Sequence, residues 1–474
     1  MHKTKIISTV GPASSTENIL EKLIKAGVDV FRLNFSYGDH SFHLDAIKKI
    51  KAISNKLKKP IAVLQDLQGP KIRVGKFKNN EPVYLKKGNI IKIITKDILG
   101  SDSIISTTYK DLFRDVSIGD KILIDDGLIE LKVIKKEDND VVCKIIVGGY
   151  LREYKGINLP NVDVSANSLT KKDKRDLKFG LENGVDYVAL SFVRKPQDIL
   201  NLKRLMRKYG NPRPIIAKIE KPQAIDAIDE IINVSDGVMI ARGDLGVEMS
   251  TEIVPILQKQ IIAKANDAGK IVITATQMLE SMINSPTPTR AEASDVANAI
   301  FDGTDVLMLS GETARGKYPV EAVKMMVRIA EESERSSFKI GHRERFDEDD
   351  DSPAKAIANS VWYASKEAKA KAIVVFTLSG STALLIAKQR PEAEIIALTP
   401  LGDTYQKMSL YWGVRPLLSE FGENTDEMIR KGEETIIKNG FLKKGDKVVV
   451  VAGKTYSVGS TNMMKIYKLS ESYN

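Results

Sequence analysis

Gly184-Val185-Asp186-Tyr187-Val188-Ala189-Leu190-Ser191 sets the pattern that decides the fold: a glycine suited to end a helix, then a short β-rich run closing on a polar residue. The same order returns at Gly27, before Val28-Asp29-Val30-Phe31-Arg32-Leu33-Asn34, and at Gly237, before Val238-Met239-Ile240-Ala241-Arg242. It returns again at Gly269, before Ile271-Val272-Ile273-Thr274, and at Gly303, before Asp305-Val306-Leu307-Met308-Leu309-Ser310. Runs 5–10, 61–64 and 214–219 fit more loosely and bring the total to eight strands alternating with helices. Eight such units predict a closed parallel (β/α)8 TIM barrel, with its chemistry at the C-terminal strand ends. Those ends carry Arg32, Asn34, Asp66, Lys218, Glu220, Arg242, Asp244, Thr276 and Ser310. Charged tips on apolar strands are costly unless a ligand or solvent meets them, so they mark a candidate site.

From about Arg73 to Val164 the helical period gives way to short runs such as Val83-Tyr84-Leu85, 90–94, 121–124 and 141–147, punctuated by Asn79-Asn80, Asp126-Gly127 and Gly148-Gly149. This predicts a small β-barrel domain inserted in the barrel, placed to act as a lid that excludes water. Helical pattern resumes at Thr170-Lys171-Lys172-Asp173, the spacing of a capping box. After Glu334 the chain turns polar and ends a charged stretch in Asp347-Glu348-Asp349-Asp350-Asp351-Ser352-Pro353, which predicts a domain boundary. Beyond Ala354, helices alternate with the runs 372–376, 395–398, 415–418 and 447–451, a second α/β unit with an open sheet. The expected division is a barrel from 1–70 and 165–340, an inserted lid at 71–164 and a C-terminal α/β domain at 350–474.

Composition narrows the function. Over 474 residues, 42% are hydrophobic and 28% charged, and no apolar run approaches the ~18 residues of a membrane span. The N-terminal Ile6-Ile7-Ser8-Thr9-Val10 is too short and polar for a signal peptide, and one cysteine, Cys143, makes neither an internal disulfide nor a cysteine-rich metal site. A reducing, cytoplasmic location is expected. The net charge of +10 comes from lysines interleaved with glutamates, not from a basic block, so anionic small molecules fit better than nucleic acid or a membrane surface. Four histidines, His2, His40, His43 and His342, have no metal-site spacing.

Glu220 and Asp244 at neighbouring strand ends, with Lys218 beside the first, suit a divalent ion such as Mg²⁺, which takes one or two carboxylates and completes its shell from substrate and water. The plainer reading is a set of surface salt bridges. Amides in Arg242-Gly243-Asp244-Leu245-Gly246 could nest an anion, and Thr276 offers a hydroxyl nearby, although a threonine there also caps helices. Gly311-Glu312-Thr313-Ala314-Arg315-Gly316-Lys317-Tyr318 has P-loop spacing, but Tyr318 stands where Ser or Thr would hold Mg²⁺, and the segment follows a barrel strand, so it is rejected. Thr377-Leu378-Ser379-Gly380-Ser381-Thr382, between a strand and a helix, is a better phosphate cradle, with simple helix capping as its alternative.

Through almost its whole length the chain resembles the pyruvate kinase family. The matching motifs include Ser8-Thr9-Val10-Gly11-Pro12-Ala13-Ser14, Arg32-Leu33-Asn34-Phe35-Ser36, Asp66 with Gly69-Pro70, and Lys155-Gly156-Ile157-Asn158-Leu159-Pro160. They continue with Ala217-Lys218-Ile219-Glu220, 241–246, Ala275-Thr276-Gln277-Met278-Leu279-Glu280-Ser281 and Ser310-Gly311-Glu312-Thr313. The resemblance implies phosphoryl transfer from phosphoenolpyruvate to ADP in glycolysis, giving pyruvate and ATP. It assigns Glu220 and Asp244 to Mg²⁺ or Mn²⁺ and Lys218 to charge on the phosphoryl group. Arg32 becomes a phosphate clamp. Gly243, Asp244 and Thr276 take the substrate carboxylate, with Thr276 also helping a water protonate the enolate. Arg73, Lys155 and Asn34 match nucleotide contacts, and closure of the lid would bring the first two over ADP.

The family's monovalent-cation site falls on Asn34, Ser36, Asp66 and the Leu67 carbonyl, but Lys71 replaces the glutamate of potassium-dependent members, so K⁺ is expected to be dispensable. Tyr37 replaces a histidine common in the family. Thr377, Ser379, Gly380, Ser381 and Thr382 match the phosphate loop of an effector domain, which implies a phosphorylated allosteric activator, and the family is commonly a homotetramer. Two other readings stay open: a Mg²⁺-dependent oxoacid lyase or Schiff-base aldolase using Lys218, and a catalytically silent phosphate-binding regulator.

Overall fold

The computed structural model describes residues 2–336, 353–453 and 461–469. The acidic run at 347–352 lies outside the described residues. Eight parallel strands close a barrel: β1 (Lys5–Thr9), β2 (Val30–Asn34) and β3 (Ala62–Leu67) from the first part of the chain. After the insert come β12 (Tyr187–Leu190), β13 (Ile215–Ile219), β14 (Gly237–Ala241), β15 (Ile271–Ala275) and β16 (Val306–Leu309). The ring runs β1-β16-β15-β14-β13-β12-β3-β2 and back to β1, whose Ser8 pairs with Phe31 of β2. Both faces of these strands are buried, which is why they read as near-continuous Ile/Val/Ala/Leu runs without polar alternation. Outward residues such as Ile6, Val63, Val188 and Leu307 pack under the helices. Inward ones, among them Ile7, Leu64, Tyr187 and Met308, fill the barrel and join a core shared with the C-terminal unit.

Between β3 and β12 the chain builds a strand-rich insert. Its strands are β4 (Val83–Leu85), β5 (Ile90–Ile94), β6 (Ile104–Ser106), β7 (Lys121–Ile124), β8 (Ile129–Glu137), β9 (Asp140–Val147), β10 (Gly149–Leu151) and β11 (Ile157–Asn158). Six of them form a sheet in the order β11-β7-β8-β9-β5-β6, and β10 pairs with β4. The runs expected from sequence correspond to β4, β5, β7 and β9. The others escaped because β8 is half lysine and glutamate on its exposed face and β6, β10 and β11 are only two or three residues long. The helix Lys171–Glu182 re-enters the barrel through the expected capping box: Thr170 accepts from the Asp173 amide, and the Asp173 carboxylate accepts from the Thr170 amide.

The C-terminal sheet orders β19 (Val414–Leu418), β18 (Glu394–Thr399), β17 (Ala372–Phe376), β20 (Lys447–Gly453) and β21 (Thr461–Lys468), the last antiparallel to β20. β21 was not expected from sequence. This unit closes the N-terminal end of the barrel. Tyr187 Oη donates to the Lys407 carbonyl at 2.7 Å and Lys5 Nζ to the Val414 carbonyl at 2.9 Å. Asp305, just ahead of β16, takes Lys388 and Arg390, the latter at 2.8 Å. The opposite end, where the charged tips project, is left to the insert.

Candidate active site

Neighbouring strands carry one residue after another to the same rim. Asp66, in the last turn of pleat before β3 ends, is buried and shared by two cations. Arg32, on β2, places Nε and Nη2 each 2.7 Å from Asp66 Oδ2, and its Nη1 donates to Thr9 Oγ1 at 3.0 Å. Lys218, on β13, lies 2.8 Å from Glu220 Oε1, 2.8 Å from Ser191 Oγ and 3.3 Å from Asp66 Oδ1. Ser191 donates to the Leu67 carbonyl at 2.7 Å, so it ties the end of β3 to β12.

The charge balance of this network is uneven. Burial alone would push the Asp66 carboxyl up, but Lys218 and Arg32 outweigh it and hold Asp66 below its ordinary value. Lys218 loses hydration on burial, yet Asp66 and Glu220 raise it above the ordinary lysine range. Glu220 goes the other way. Burial and the nearby Asp244 raise its carboxyl despite Lys218 and the Phe192 amide, which donates to Oε2 at 2.7 Å. Asp244 is half-buried and makes no hydrogen bond or ion pair among the described residues. Two facing carboxylates, one of them without a cation, are the donor set a divalent ion would neutralise. No group of three or more His, Cys, Asp or Glu is gathered among the described residues, so such an ion would draw its other ligands from substrate and water.

Gly243 and Asp244 open the short helix Arg242–Glu248 directly after β14. The Gly243 amide donates to Thr276 Oγ1 at 2.8 Å, and that hydroxyl donates to the Ala275 carbonyl at 2.6 Å. Thr276 has φ +69°, a left-handed conformation that a β-branched residue adopts only under constraint. Arg242 supplies the constraint: its Nη2 donates to the Thr276 carbonyl at 2.8 Å while Nη1 is held by Asp295 at 2.8 Å.

Of the residues expected from sequence to lie at a monovalent cation, Asn34 and Asp66 are register partners, and Asn34 Oδ1 accepts the Ser36 amide at 3.0 Å. Lys71 stands on the seam with the insert, against Gly156, and lines a cleft with Asn158, Phe192, Lys221, Asp244 and Glu248. Arg73 and Lys155 both lie on the insert. Arg73 Nη1 donates to the Tyr154 carbonyl at 2.8 Å, and Lys155 pairs with Asp125 at 2.8 Å. Among the described residues neither hydrogen-bonds to nor pairs with the strand-end network. Tyr37 is exposed.

Several residues that build the site were not singled out from sequence. Ser191 and Thr9 act through single hydroxyls at strand ends, a weak signal. Lys172 and Asp173 brace two loops from the helix Lys171–Glu182: Lys172 Nζ donates to the Phe35 carbonyl at 2.6 Å, and Asp173 Oδ1 accepts the Gly69 amide at 3.1 Å. Glu312 is buried and accepts from the Leu279 and Ser310 amides at 3.0 and 2.8 Å, fixing the loop after β15 to that after β16. The glycines of the rejected P-loop spacing serve packing. A Cβ on Gly311 would meet Ile283, and one on Gly316 would meet the Glu312 carbonyl.

In the C-terminal unit, 377–382 does form a turn into a helix, Ser381–Lys388. Thr377 Oγ1 accepts the Gly380 amide at 3.0 Å, Gly380 has φ +84°, and the Ser379 and Ser381 hydroxyls lie 2.9 Å apart. Thr382 is turned inward to Thr461.

Two family models match the chain: "Pyruvate kinase, barrel domain" over residues 1–323 and "Pyruvate kinase, alpha/beta domain" over 355–467. Among curated relatives, "Pyruvate kinase" of Clostridium acetobutylicum is 45% identical over 470 residues, 98% of this chain and 99% of the relative. "Pyruvate kinase 2" of Synechocystis sp. is 47% identical over 98% of this chain and 79% of the relative. "Pyruvate kinase" of Staphylococcus saprophyticus is 46% identical over 99% and 81%.

Proposed function

The chain belongs to the pyruvate kinase family, and from that premise we propose how its strand-end residues move a phosphoryl group from phosphoenolpyruvate to ADP. Family membership makes it a phosphotransferase and implies those two substrates and a divalent cation. Glu220 and Asp244 would hold the cation, Mg²⁺ or Mn²⁺, which when bound offsets charge on the substrate's phosphate and carboxylate oxygens.

The observation that carries the reading is Lys218. Its ammonium is fixed by Asp66, Glu220 and Ser191 and kept protonated, as a stabiliser of a transferring phosphoryl group must be. A Schiff-base lysine needs the opposite shift, toward the neutral amine, which speaks against the aldolase alternative. Arg32, already aimed by Asp66, would turn its remaining donors to the phosphate. Gly243 would exchange its bond to Thr276 for the substrate carboxylate, which frees the Thr276 hydroxyl to order the water that protonates the enolate. Transfer to ADP then leaves the enolate to take up one proton and become pyruvate.

Arg73 and Lys155 would meet the nucleotide from the insert, with Asn34 beneath it. Lys71, half-buried and without a partner among the described residues, would supply the positive charge that a K⁺ ion otherwise brings to Asn34, Ser36, Asp66 and Leu67. The turn at Thr377, Ser379, Gly380, Ser381 and Thr382 would take a phosphorylated activator, mainly through Ser379, Gly380 and Ser381 because Thr382 is already engaged. The working enzyme would be a cytoplasmic homotetramer. Among the described residues no helix is long and apolar enough to cross a membrane.

The test is pyruvate formation from phosphoenolpyruvate, ADP and Mg²⁺, first with K⁺ and then with a bulky organic cation. Equal rates support the transfer and the Lys71 assignment together. A rate that collapses without K⁺ keeps the transfer and removes Lys71 from its role. No rate in either buffer, even with sugar phosphates or AMP added, favours the silent regulator.

A further inference from the structure

Glu248 is fully buried at the end of the helix that begins with Arg242, Gly243 and Asp244, and one turn separates it from Asp244. Its Oε1 accepts from two donors: Lys221 Nζ at 2.5 Å, from the loop after β13, and Asn158 Nδ2 at 2.7 Å, from β11 of the insert. Its Oε2 is buried without a hydrogen-bond partner. A buried carboxylate with a free oxygen is expensive, and it persists only where its surroundings hold it in place. The location is telling. Lys221 follows Glu220 directly, and Asn158 stands three residues after Lys155 on the same stretch of the insert.

We propose that Glu248 is a positioning residue, the barrel-side half of a latch whose insert-side half is Asn158, and that this latch sets the register of Lys155 and Arg73 over the nucleotide. Lys221 fixes the carboxylate in place. Asn158 then docks on it and brings β11 against the helix that carries Asp244. Tyr154, Lys155 and Gly156 lead directly into β11, and Arg73 is tied to the same stretch, because the Val74 amide donates to the Lys155 carbonyl at 2.9 Å and Arg73 bridges to Gly156. A single carboxylate thus links the cation and carboxylate end of the site to the nucleotide end. The proposal rests on Arg73 and Lys155 being the nucleotide contacts.

The experiment compares Asn158→Ala, Glu248→Gln, the double variant and Lys155→Met by steady-state kinetics in ADP and in phosphoenolpyruvate. Asn158→Ala removes only a half-exposed amide and leaves the buried Glu248–Lys221 pair intact, so it tests the latch without endangering the fold. One lost charge-assisted hydrogen bond is expected to raise KM for ADP by about fivefold or more, with KM for phosphoenolpyruvate within about twofold. The double variant is expected to be no worse than the worse single, since Asn158→Ala removes and Glu248→Gln weakens one and the same contact. Asn158→Asp places a second carboxylate against Glu248 and should be worse than alanine. Asn158→Gln should recover part of the loss.

If Lys155→Met raises KM for ADP while Asn158→Ala leaves it unchanged, the latch is overturned and the nucleotide assignment stands. If neither changes it, the nucleotide assignment itself has failed. Equal loss toward both substrates, or full additivity in the double variant, would make Glu248 a structural ion pair only.

Discussion

At the scale of the residue, Lys218 separates two things the sequence left together. Its position beside Glu220 was plain from Ala217-Lys218-Ile219-Glu220, but its contact with Asp66 and Ser191 joins strands that are far apart in the chain. Lys218→Ala is expected to lower turnover by about 10²–10³-fold or more, the cost of removing a preorganised charge at the reacting group. The variant should still bind Mg²⁺ and phosphoenolpyruvate, the latter more weakly because its phosphate loses a neighbouring cation. Unchanged turnover would refute the role. Thr276 allows a finer test. Thr276→Ser keeps the hydroxyl and should stay near the parent rate, whereas Thr276→Val, alike in shape, should lose about 10²-fold if the hydroxyl orders the protonating water. Loss confined to proton delivery would show as slowed solvent-hydrogen exchange into pyruvate, which distinguishes it from mere distortion of the strained loop.

At the scale of the element, the barrel strands were legible because burial on both faces leaves an unbroken apolar run ending in a charge. The insert was less so. Its strands face solvent on one side, and in β8 Glu130, Lys132, Lys135, Lys136 and Glu137 break the apolar run, whose period of two also slips at the irregularity between Val133 and Lys135. The turns between elements carry their own constraints. Gly11, just after β1, approaches the segment after β16 so closely that a Cβ would stand 2.4 Å from the Ala314 carbonyl. Backbone cannot rotate away as a side chain can, so Gly11→Ala is expected to destabilise by about 1–3 kcal/mol. It should also loosen the seam where Ala13 donates to Ala314 at 3.0 Å and Thr9 bonds Thr313 at 3.0 Å. A thermal midpoint equal to the parent's would show that the seam yields without cost. The helix Lys171–Glu182 shows what spacing alone conceals. Its capping box is legible in the sequence, but that Lys172 and Asp173 reach the loops after β2 and β3 depends on where the barrel sets that helix.

At the scale of the molecule, the barrel's N-terminal end and the C-terminal unit share a buried ionic joint. Asp305 takes Arg390 at 2.8 Å and Lys388, which is also 2.8 Å from Asn266 Oδ1. Burial would raise the Asp305 carboxyl, but Lys388 and Arg390 prevail and hold it below its ordinary value of 3.8. A depressed carboxylate contributes stability above its unfolded pKa and loses it as pH falls through the folded one. The joint is therefore intact at neutral pH and weakens below about pH 4. Asp305→Asn removes the buried carboxylate that Lys388 and Arg390 share and is expected to cost about 3–5 kcal/mol at pH 7. The gap to the parent should narrow in acid. A gap that stays constant from pH 7 to pH 3 in thermal or urea unfolding would show that the charge is not what the joint depends on.

The sequence by itself determined the barrel, the presence of a β-rich insert, the second α/β unit and the residue types at the strand ends, because each rests on local periodicity or on an ordered set of short motifs. The tertiary structure alone decided which of those ends meet. Asp66, Lys218 and Ser191 converge across β3, β12 and β13, Thr276 is bent into place by Arg242, and Glu248 faces Asn158 from another part of the fold. Such contacts depend on strand register, on ring closure and on how the insert seats against the barrel, and no spacing along a single chain encodes those distances.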